Sequence, residues 1–337
     1  MSTLDYYKQA QAYYSKSPTI ILGSGASSAF GMSGMWQLSE YLKNNIDDRT
    51  FDGDDWTKWS EFVALLDAGA DLESALHAVE MSDRLTRQIV NNTWDLINKE
   101  DLHIFGLSLA ERDYFPLGRF LNHYFQSTAK AIDIVTTNYD RLVEYACEQE
   151  GIHHYTGFSH GFRRLLKESS YLRCDRVVNI WKVHGSLDWY KSHAGEVVGV
   201  ANLSSIPTEM VPQIVTPGTE KYRITHLEPF RTIIAEADRA IAKANSYLTI
   251  GFGFNDQHIQ EKLIQKCVRE KASITIITFQ LSEATKKFLF ESGVENYLAI
   301  ERGSKDDESV IYSSNSEEPI IVDADHWSLK GYLGLII

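Results

Sequence analysis

The chain has 337 residues, 43% of them hydrophobic and 12% aromatic, which is ample material for a packed core. Its formal charge of −13 argues against nonspecific nucleic-acid binding, which depends on Lys and Arg neutralising phosphates. Its three cysteines, Cys147, Cys174 and Cys267, form no Cys-x-x-Cys pair, which excludes a disulfide framework and a four-cysteine zinc site and points to a reducing compartment.

The first strand-like run spans 18–22, around Thr19-Ile20-Ile21-Leu22, and leads into Gly23-Ser24-Gly25-Ala26-Ser27 and a helix ending near residue 46. The acidic stretch Asp47-Asp48 to Asp52-Gly53-Asp54-Asp55 lacks the calcium-loop pattern and its terminal Glu, and reads as a solvated connection. Leu72, Leu76 and Val79, then Ile89, Val90, Trp94 and Ile97, recur at helical spacing. Residues 49–115 therefore read as a helical insertion in a single domain whose core is 17–48 plus 116–337. This insertion is a lid, an oligomer contact or a plain stabilising subdomain.

Further strand-like runs occupy 131–136, 177–183, 211–215, 246–252 and 273–279, with helical patterns between several of them. The expected fold is α/β, a doubly wound, Rossmann-like parallel sheet with a helical insertion. Arg163-Arg164 with Lys167 reads as a solvated helix face, and His153, His154 and His160 match no standard zinc spacing. Ser282 is placed to cap a helix after residue 280. Two short strands are expected near 309–312 and 319–323, joined by Ser313-Ser314-Asn315-Ser316. No apolar run approaches the roughly 20 residues a membrane span needs. No signal peptide is visible at Met1 to Tyr7, so a cytoplasmic location is expected.

Three polar clusters follow strand-like runs: the glycine loop at 23–27, Thr136-Thr137-Asn138-Tyr139-Asp140, and His184-Gly185. Ligands of open parallel sheets bind outside the carboxyl ends of the strands, so all three are predicted to face one pocket. Glycines after a strand let the backbone approach a pyrophosphate at a helix N-terminus. Ser28, however, stands where the dinucleotide fingerprint has glycine, and an ordinary tight turn remains the alternative. Asn138 and Asp140 offer an amide and a carboxylate to ribose hydroxyls or a carboxamide, and equally suit capping of the helix begun by Arg141-Leu142-Val143. His184 is a general-base candidate, with Gly185 leaving room beside it, or else a hydrogen-bonded structural histidine.

Taken together these segments resemble the sirtuin family. Thr137-Asn138-Tyr139-Asp140 stands in place of its Gln-Asn-x-Asp motif, and Leu248-Thr249-Ile250-Gly251-Phe252-Gly253-Phe254-Asn255-Asp256 lies where sirtuins hold the adenosine half of NAD. The departures are Thr137 in place of Gln, the missing cysteine pairs of the zinc module, and Ser186-Leu187-Asp188-Trp189-Tyr190 in place of the deacylase pattern. The His184 to Trp189 and Gly251 to Asp256 segments resemble the sirtuin-like domains of bacterial anti-phage defence systems, which hydrolyse NAD+ outright.

That resemblance implies NAD+ as substrate, no zinc or other metal, and NAD+ depletion as abortive infection. His184, Asn138 and Asp140 would be catalytic. Asp140 would engage the nicotinamide carboxamide, Asn138 ribose hydroxyls or the attacking water, and His184 would act as base. Gly23, Ser24, Gly25, Ala26 and Ser27 would line the pyrophosphate, with Thr137 and Gly185 also on the cofactor. Gly251, Gly253 and Asn255 would face the adenosine, Gly251 and Gly253 being otherwise turn glycines. The alternatives are an ADP-ribosyltransferase or deacylase and a non-catalytic NAD or ADP-ribose sensor. The resemblance also implies a homo-oligomer and a partner such as a HerA-type DNA-translocating ATPase or an Argonaute-like protein. The stretch after residue 290 is not expected to form a sensor, so any trigger is expected to come from outside this chain. Neither direct nucleic-acid binding nor membrane association is expected.

Overall fold

Thr19-Ile20-Ile21-Leu22 offers no polar face, and the strand it forms is buried at every position, as a strand covered on both sides must be. The computed structural model describes residues 3–168, 174–216 and 226–337. In chain order the first strands are β1 (Thr19–Leu22), β2 (Ala131–Thr136), β3 (His154–Tyr155), β4 (Arg163–Leu165), β5 (Val177–Lys182) and β6 (Gly185–Lys191). Then follow β7 (Val197–Val200), β8 (Val211–Ile214), β9 (Ser246–Ile250), β10 (Ser273–Thr278), β11 (Tyr297–Arg302), β12 (Ser309–Ser313) and β13 (Ile320–Val322).

They sort into two sheets. The larger has the order β13-β12-β11-β10-β9-β1-β2-β5-β3. It is parallel from β11 to β3 and carries the antiparallel pairs β11–β12 and β12–β13 at one edge. From β1 the chain winds outward through β2 and β5, then returns to β9 on the other side of β1 and continues to β10 and β11. The expected doubly wound α/β architecture is present. Its winding reverses beside β1, which puts the ligand-binding crevice of such sheets at the carboxyl ends of β1, β2 and β9.

The helices are α1 (Thr3–Tyr14), α2 (Ser24–Ser28), α3 (Met35–Asn45), α4 (Gly53–Asp67), α5 (Leu72–Ala78) and α6 (Asp83–Ser108). After them come α7 (Pro116–Tyr124), α8 (Leu142–Gln149), α9 (Phe230–Lys243), α10 (Gln257–Ile264), α11 (Glu283–Lys286) and α12 (Leu329–Ile336). Among the described residues no helix is long and apolar enough to cross a membrane.

Five expectations are corrected. The helix expected up to residue 46 is two helices, α2 and α3, separated by a turn in which Gly31 takes a positive φ of 87°. The helical module has its own core, and that core includes Leu38, Leu42 and Ile46 with Trp59, Phe62, Leu72, Leu76 and Leu85, so it begins at α3 and not at residue 49. The acidic stretch is structural as well as solvated. Asp52 caps α4 by accepting from the Asp54 and Asp55 amides, and buried Asp55 accepts from Ser82 Oγ at 2.6 Å. Finally, 211–215 belongs not to the parallel sheet but to an antiparallel sheet of order β4-β7-β6-β8, and Arg163-Arg164 lies on β4 of that sheet and not on a helix face.

One helix ties the module to the sheet. Leu85 and Ile89 of α6 lie in the module core, whereas Val90, Trp94, Ile97 and Ile104 pack into the main core. Trp94 Nε1 donates to Leu187 O at 2.7 Å, joining α6 to β6 directly behind the candidate site.

Candidate functional site

The loops after β1 and β9 are built against each other. Gly23 N donates to Ile250 O and Gly25 N to Gly251 O. A Cβ on Gly23 would stand 2.5 Å from Gly251 O, and one on Gly251 would run into the Gly25–Ala26 backbone. Gly251 also holds φ at +57°, a region that L side chains seldom enter. Close approach of two strand-end loops is therefore one demand that these glycines meet. Two of the amides expected to face a pyrophosphate are also spent locally, Gly25 N on Gly251 O and Ala26 N on Gly23 O.

Upon this knot sits a polar relay from the end of β2. Asn138 Nδ2 donates to Gly23 O and to Ser27 Oγ, both at 2.9 Å, which uses both amide hydrogens and leaves Oδ1 as an acceptor. Ser27 Oγ donates in turn to Asp140 Oδ2 at 2.6 Å, while Asp140 Oδ1 accepts from Leu142 N at 3.2 Å. Asp140 thus caps the start of α8 and anchors the relay. Burial pushes its carboxyl above the usual range, against the pull of Lys182 and Ser27.

His184 sits in the turn between β5 and β6. Its carbonyl accepts from Val215 N at 2.8 Å, and its Nε2 lies 3.0 Å from Asp256 Oδ2. Gly185 has φ +87°, and a Cβ there would collide with Gln213 O of β8. Its glycine is thus required by strand approach, and Gly185 lines neither of the cavities described next.

Two cavities flank the relay. The smaller, about 240 Å³, is walled by Gly23, Ser24, Ser27, Thr137, Asn138, Asp140 and His184 of the expected residues, together with Asp256. Met32 to Gly34 of the turn before α3, and Met35, Leu38 and Glu73 of the helical module, complete its lining. The larger, about 740 Å³, is bounded by Gly25, Ala26, Ser27, Asn138, Asp140 and Gly251, and by the aromatic rings of Phe30, Tyr114, Phe115, Phe279 and Trp327. Ser27, Asn138 and Asp140 border both. Gly251 faces the larger space, but Gly253 and Asn255, expected beside it, line the smaller one with His184. Asp256, Glu73 and Trp327 are additions that sequence reasoning missed. Asp256 was in view inside the Gly251 to Asp256 run; Glu73 and Trp327 carry no local signal.

Beneath the smaller cavity lies a buried set of charges. Arg141 is clamped by Asp101, which receives Arg141 Nη2 at 2.6 Å, Arg141 N at 2.7 Å and Tyr145 OH at 2.6 Å. Lys182 pairs with Glu144 at 2.8 Å and donates to Asp140 O, and Arg164 pairs with Asp188. Burial pushes the Glu144 carboxyl up to about 7 despite Lys182. Burial works in the same sense on Asp188, but Arg164, Lys182 and Arg141 together hold its carboxyl well below the usual range. Arg164, expected on a solvated helix face, is a largely buried ion-pair partner of Asp188. Among the described residues no cluster of His, Cys, Asp and Glu is arranged to hold a metal ion.

Residues 133–297, just under half of the chain, match the family described as the SIR2-like domain. The matched stretch contains Asn138, Asp140, His184 and Asp256 and leaves the Gly23 to Ser27 loop outside. No curated protein matches the chain. Several solved structures resemble it. One, from work on the mechanism and regulation of Sir2 enzymes, is 13% identical, covers 86% of this chain and 91% of its own, and has a TM-score of 0.46. A Sir2 homologue in complex with NAD is 12% identical over 88% of this chain and 89% of its own, with a TM-score of 0.44. A mutant Sir2 homologue in complex with ADP-ribose is 14% identical over 85% and 88%, with a TM-score of 0.47.

Proposed function

We propose that the protein is an NAD+ glycohydrolase that cleaves NAD+ to nicotinamide and ADP-ribose with water as acceptor. The observation that carries this reading is the partition of Ser27, Asn138 and Asp140 between two cavities, one small and holding His184, the other large and aromatic. A dinucleotide laid across that partition would have its reacting ribose on the His184 side and its adenosine among the rings. Nicotinamide leaves as a neutral ring when the bond from its nitrogen to ribose C1′ breaks and the electron pair stays on nitrogen. Water oxygen then bonds to C1′ and gives up a proton, which His184 accepts. General-base help of this kind is worth about 100- to 10,000-fold. Asn138, with both amide hydrogens engaged, offers Oδ1 to that water or to a ribose hydroxyl. Orientation supplies the rest of the acceleration, because the cationic leaving group needs little acid help.

The resemblance to anti-phage sirtuin-like domains supports a cellular role for this chemistry as NAD+ depletion after infection. In that role a partner would supply the trigger, a HerA-type ATPase or an Argonaute-like protein being candidates, and the chain would act in the cytoplasm as a homo-oligomer.

Product analysis of purified protein with NAD+, alone and with lysate of phage-infected cells, tests the reading. Nicotinamide and free ADP-ribose in equal amounts, lost in His184→Ala and Asn138→Ala, are the expected result. Bound but intact NAD+ in both conditions would replace the hydrolase with a sensor. Adenine label retained on protein would replace it with a transferase.

A further inference from the structure

We propose that Asp256 is the positioning residue of His184, fixing the imidazole proton on Nε2 so that Nδ1 is the nitrogen that accepts a proton. The inference rests on the hydrolase reading, in which His184 is the base.

The two side chains come from elements far apart in sequence. His184 follows β5 and Asp256 precedes α10, yet His184 Nε2 and Asp256 Oδ2 stand 3.0 Å apart at the wall of the smaller cavity. Both are largely withdrawn from solvent, at 17% and 7% side-chain exposure, so the pair is poorly screened by water. An ionised carboxylate can only accept, so the nitrogen that faces it carries the hydrogen and the other keeps its lone pair.

Asp256 is itself held in place. Its Oδ1 accepts from Ile259 N at 3.1 Å and caps α10, while its Oδ2 faces the imidazole. The preceding turn is pinned by Phe254, fully buried and stacked on Phe288 at 4.6 Å. His184 is fixed at its backbone by the bond from Val215 N. Two rigid supports thus hold the ring from opposite ends, as a base that must meet a transient water requires. In the reaction the proton released by the attacking water goes to Nδ1, while the nicotinamide–ribose bond breaks with its electron pair left on nicotinamide. The resulting imidazolium is paired with the Asp256 carboxylate.

Asp256→Asn is the test. Asn caps helices as well as Asp does, so α10 keeps its N-cap, but the amide offers Nε2 a donor as readily as an acceptor. The expected result is a fall of about 100-fold or more in kcat for nicotinamide release, with KM for NAD+ and affinity for ADP-ribose within about twofold of wild type. Nitrogen-15 NMR of histidine-labelled protein, with His184→Gln to assign the signal, should show His184 protonated at Nε2 in the wild type and lose that preference in Asp256→Asn. Unchanged kcat in Asp256→Asn beside an inactive His184→Ala would overturn the proposal and leave the hydrolase reading intact. So would a wild-type His184 protonated at Nδ1, or a loss of ADP-ribose affinity as large as the loss of kcat, which would make Asp256 a loop anchor only. The tautomer measurement needs no turnover, so it decides the assignment separately from wild-type protein that releases no nicotinamide, the result that would sink the hydrolase reading.

Discussion

The two cavities share a wall and differ in size and in the side chains set into the rest of each. The smaller sets ionisable and amide groups, His184, Asp256 and Asn138 from strand ends and Glu73 from α5, among the apolar side chains of Met35, Leu38, Ile97, Val215 and Phe252. The larger is mostly apolar and carries a set of rings, with Asp306, Asp325 and Lys330 also on its wall. Phe30 lies 5.3 Å from Phe115 and Tyr114 lies 5.0 Å from Phe115, while Trp327 meets Phe279 edge-on at 5.7 Å. Apolar pockets with a few polar groups hold ligands, whereas close-set polar groups shielded from water do chemistry. On this division the smaller cavity should govern kcat and the larger one KM.

The strongest way to break that division is His184→Ala. We expect kcat to fall about 100- to 10,000-fold while ADP-ribose affinity, measured by calorimetry, holds within a few-fold. An equal loss of affinity would mean that His184 binds rather than reacts.

Next in size is Asp101→Ala. Asp101 is fully buried and takes both the guanidinium and the backbone amide of Arg141, the residue after Asp140. Its loss strands a buried cation, a change that costs about 3–5 kcal/mol. Urea unfolding should show a lower midpoint with unchanged slope, and kcat should fall with it because the Asp140 loop loses its support. A stable Asp101→Ala protein with normal kcat would show that the smaller cavity does not depend on the charges beneath it.

The same contrast explains what the amino-acid sequence discloses. Buried parallel strands read as apolar runs, so β1, β2, β5, β9 and β10 are visible, and the polar groups after them are visible as candidates. β4 and β6 are hidden by their charges. Arg164 and Asp188 look like surface residues until the fold pairs them inside. The glycines were legible as special positions but not in purpose, since Gly23, Gly25 and Gly251 make room for one another. Asp256 stood in the glycine run and was passed over because its partner, His184, lies on another strand end. The aromatic wall gives no signal at all. Phe30, Tyr114, Phe279 and Trp327 come together only through tertiary packing, and no period links them.

A smaller effect probes that wall. Trp327 borders the larger cavity and donates from Nε1 to Asp306 O at 2.9 Å, so it is fixed against the loop after β11. Trp327→Ala should raise KM for NAD+ about tenfold, roughly 1.4 kcal/mol, with kcat within about twofold. Steady-state kinetics decide it. A fall in kcat at constant KM would place Trp327 with the reacting groups and collapse the distinction between the cavities.

The smallest effect is a control placed away from both. His154 lies on the edge strand β3, and burial, aided by His160 and Arg164 against the opposing pull of Asp188, pushes its imidazole down to about 4. A histidine held neutral on folding contributes stability that is complete above its unfolded value near 6.5. As pH falls from there towards 4, the unfolded chain takes up a proton that the folded chain refuses, and stability drops. For this partly exposed ring the loss should be about 1–2 kcal/mol. His154→Gln, which cannot titrate, should flatten unfolding free energy between those pH values and leave kcat and KM at neutral pH unchanged. If it altered kcat, the edge of the sheet would be coupled to the smaller cavity through Arg164 and Asp188, and the chemistry would extend further into the fold than its lining residues indicate.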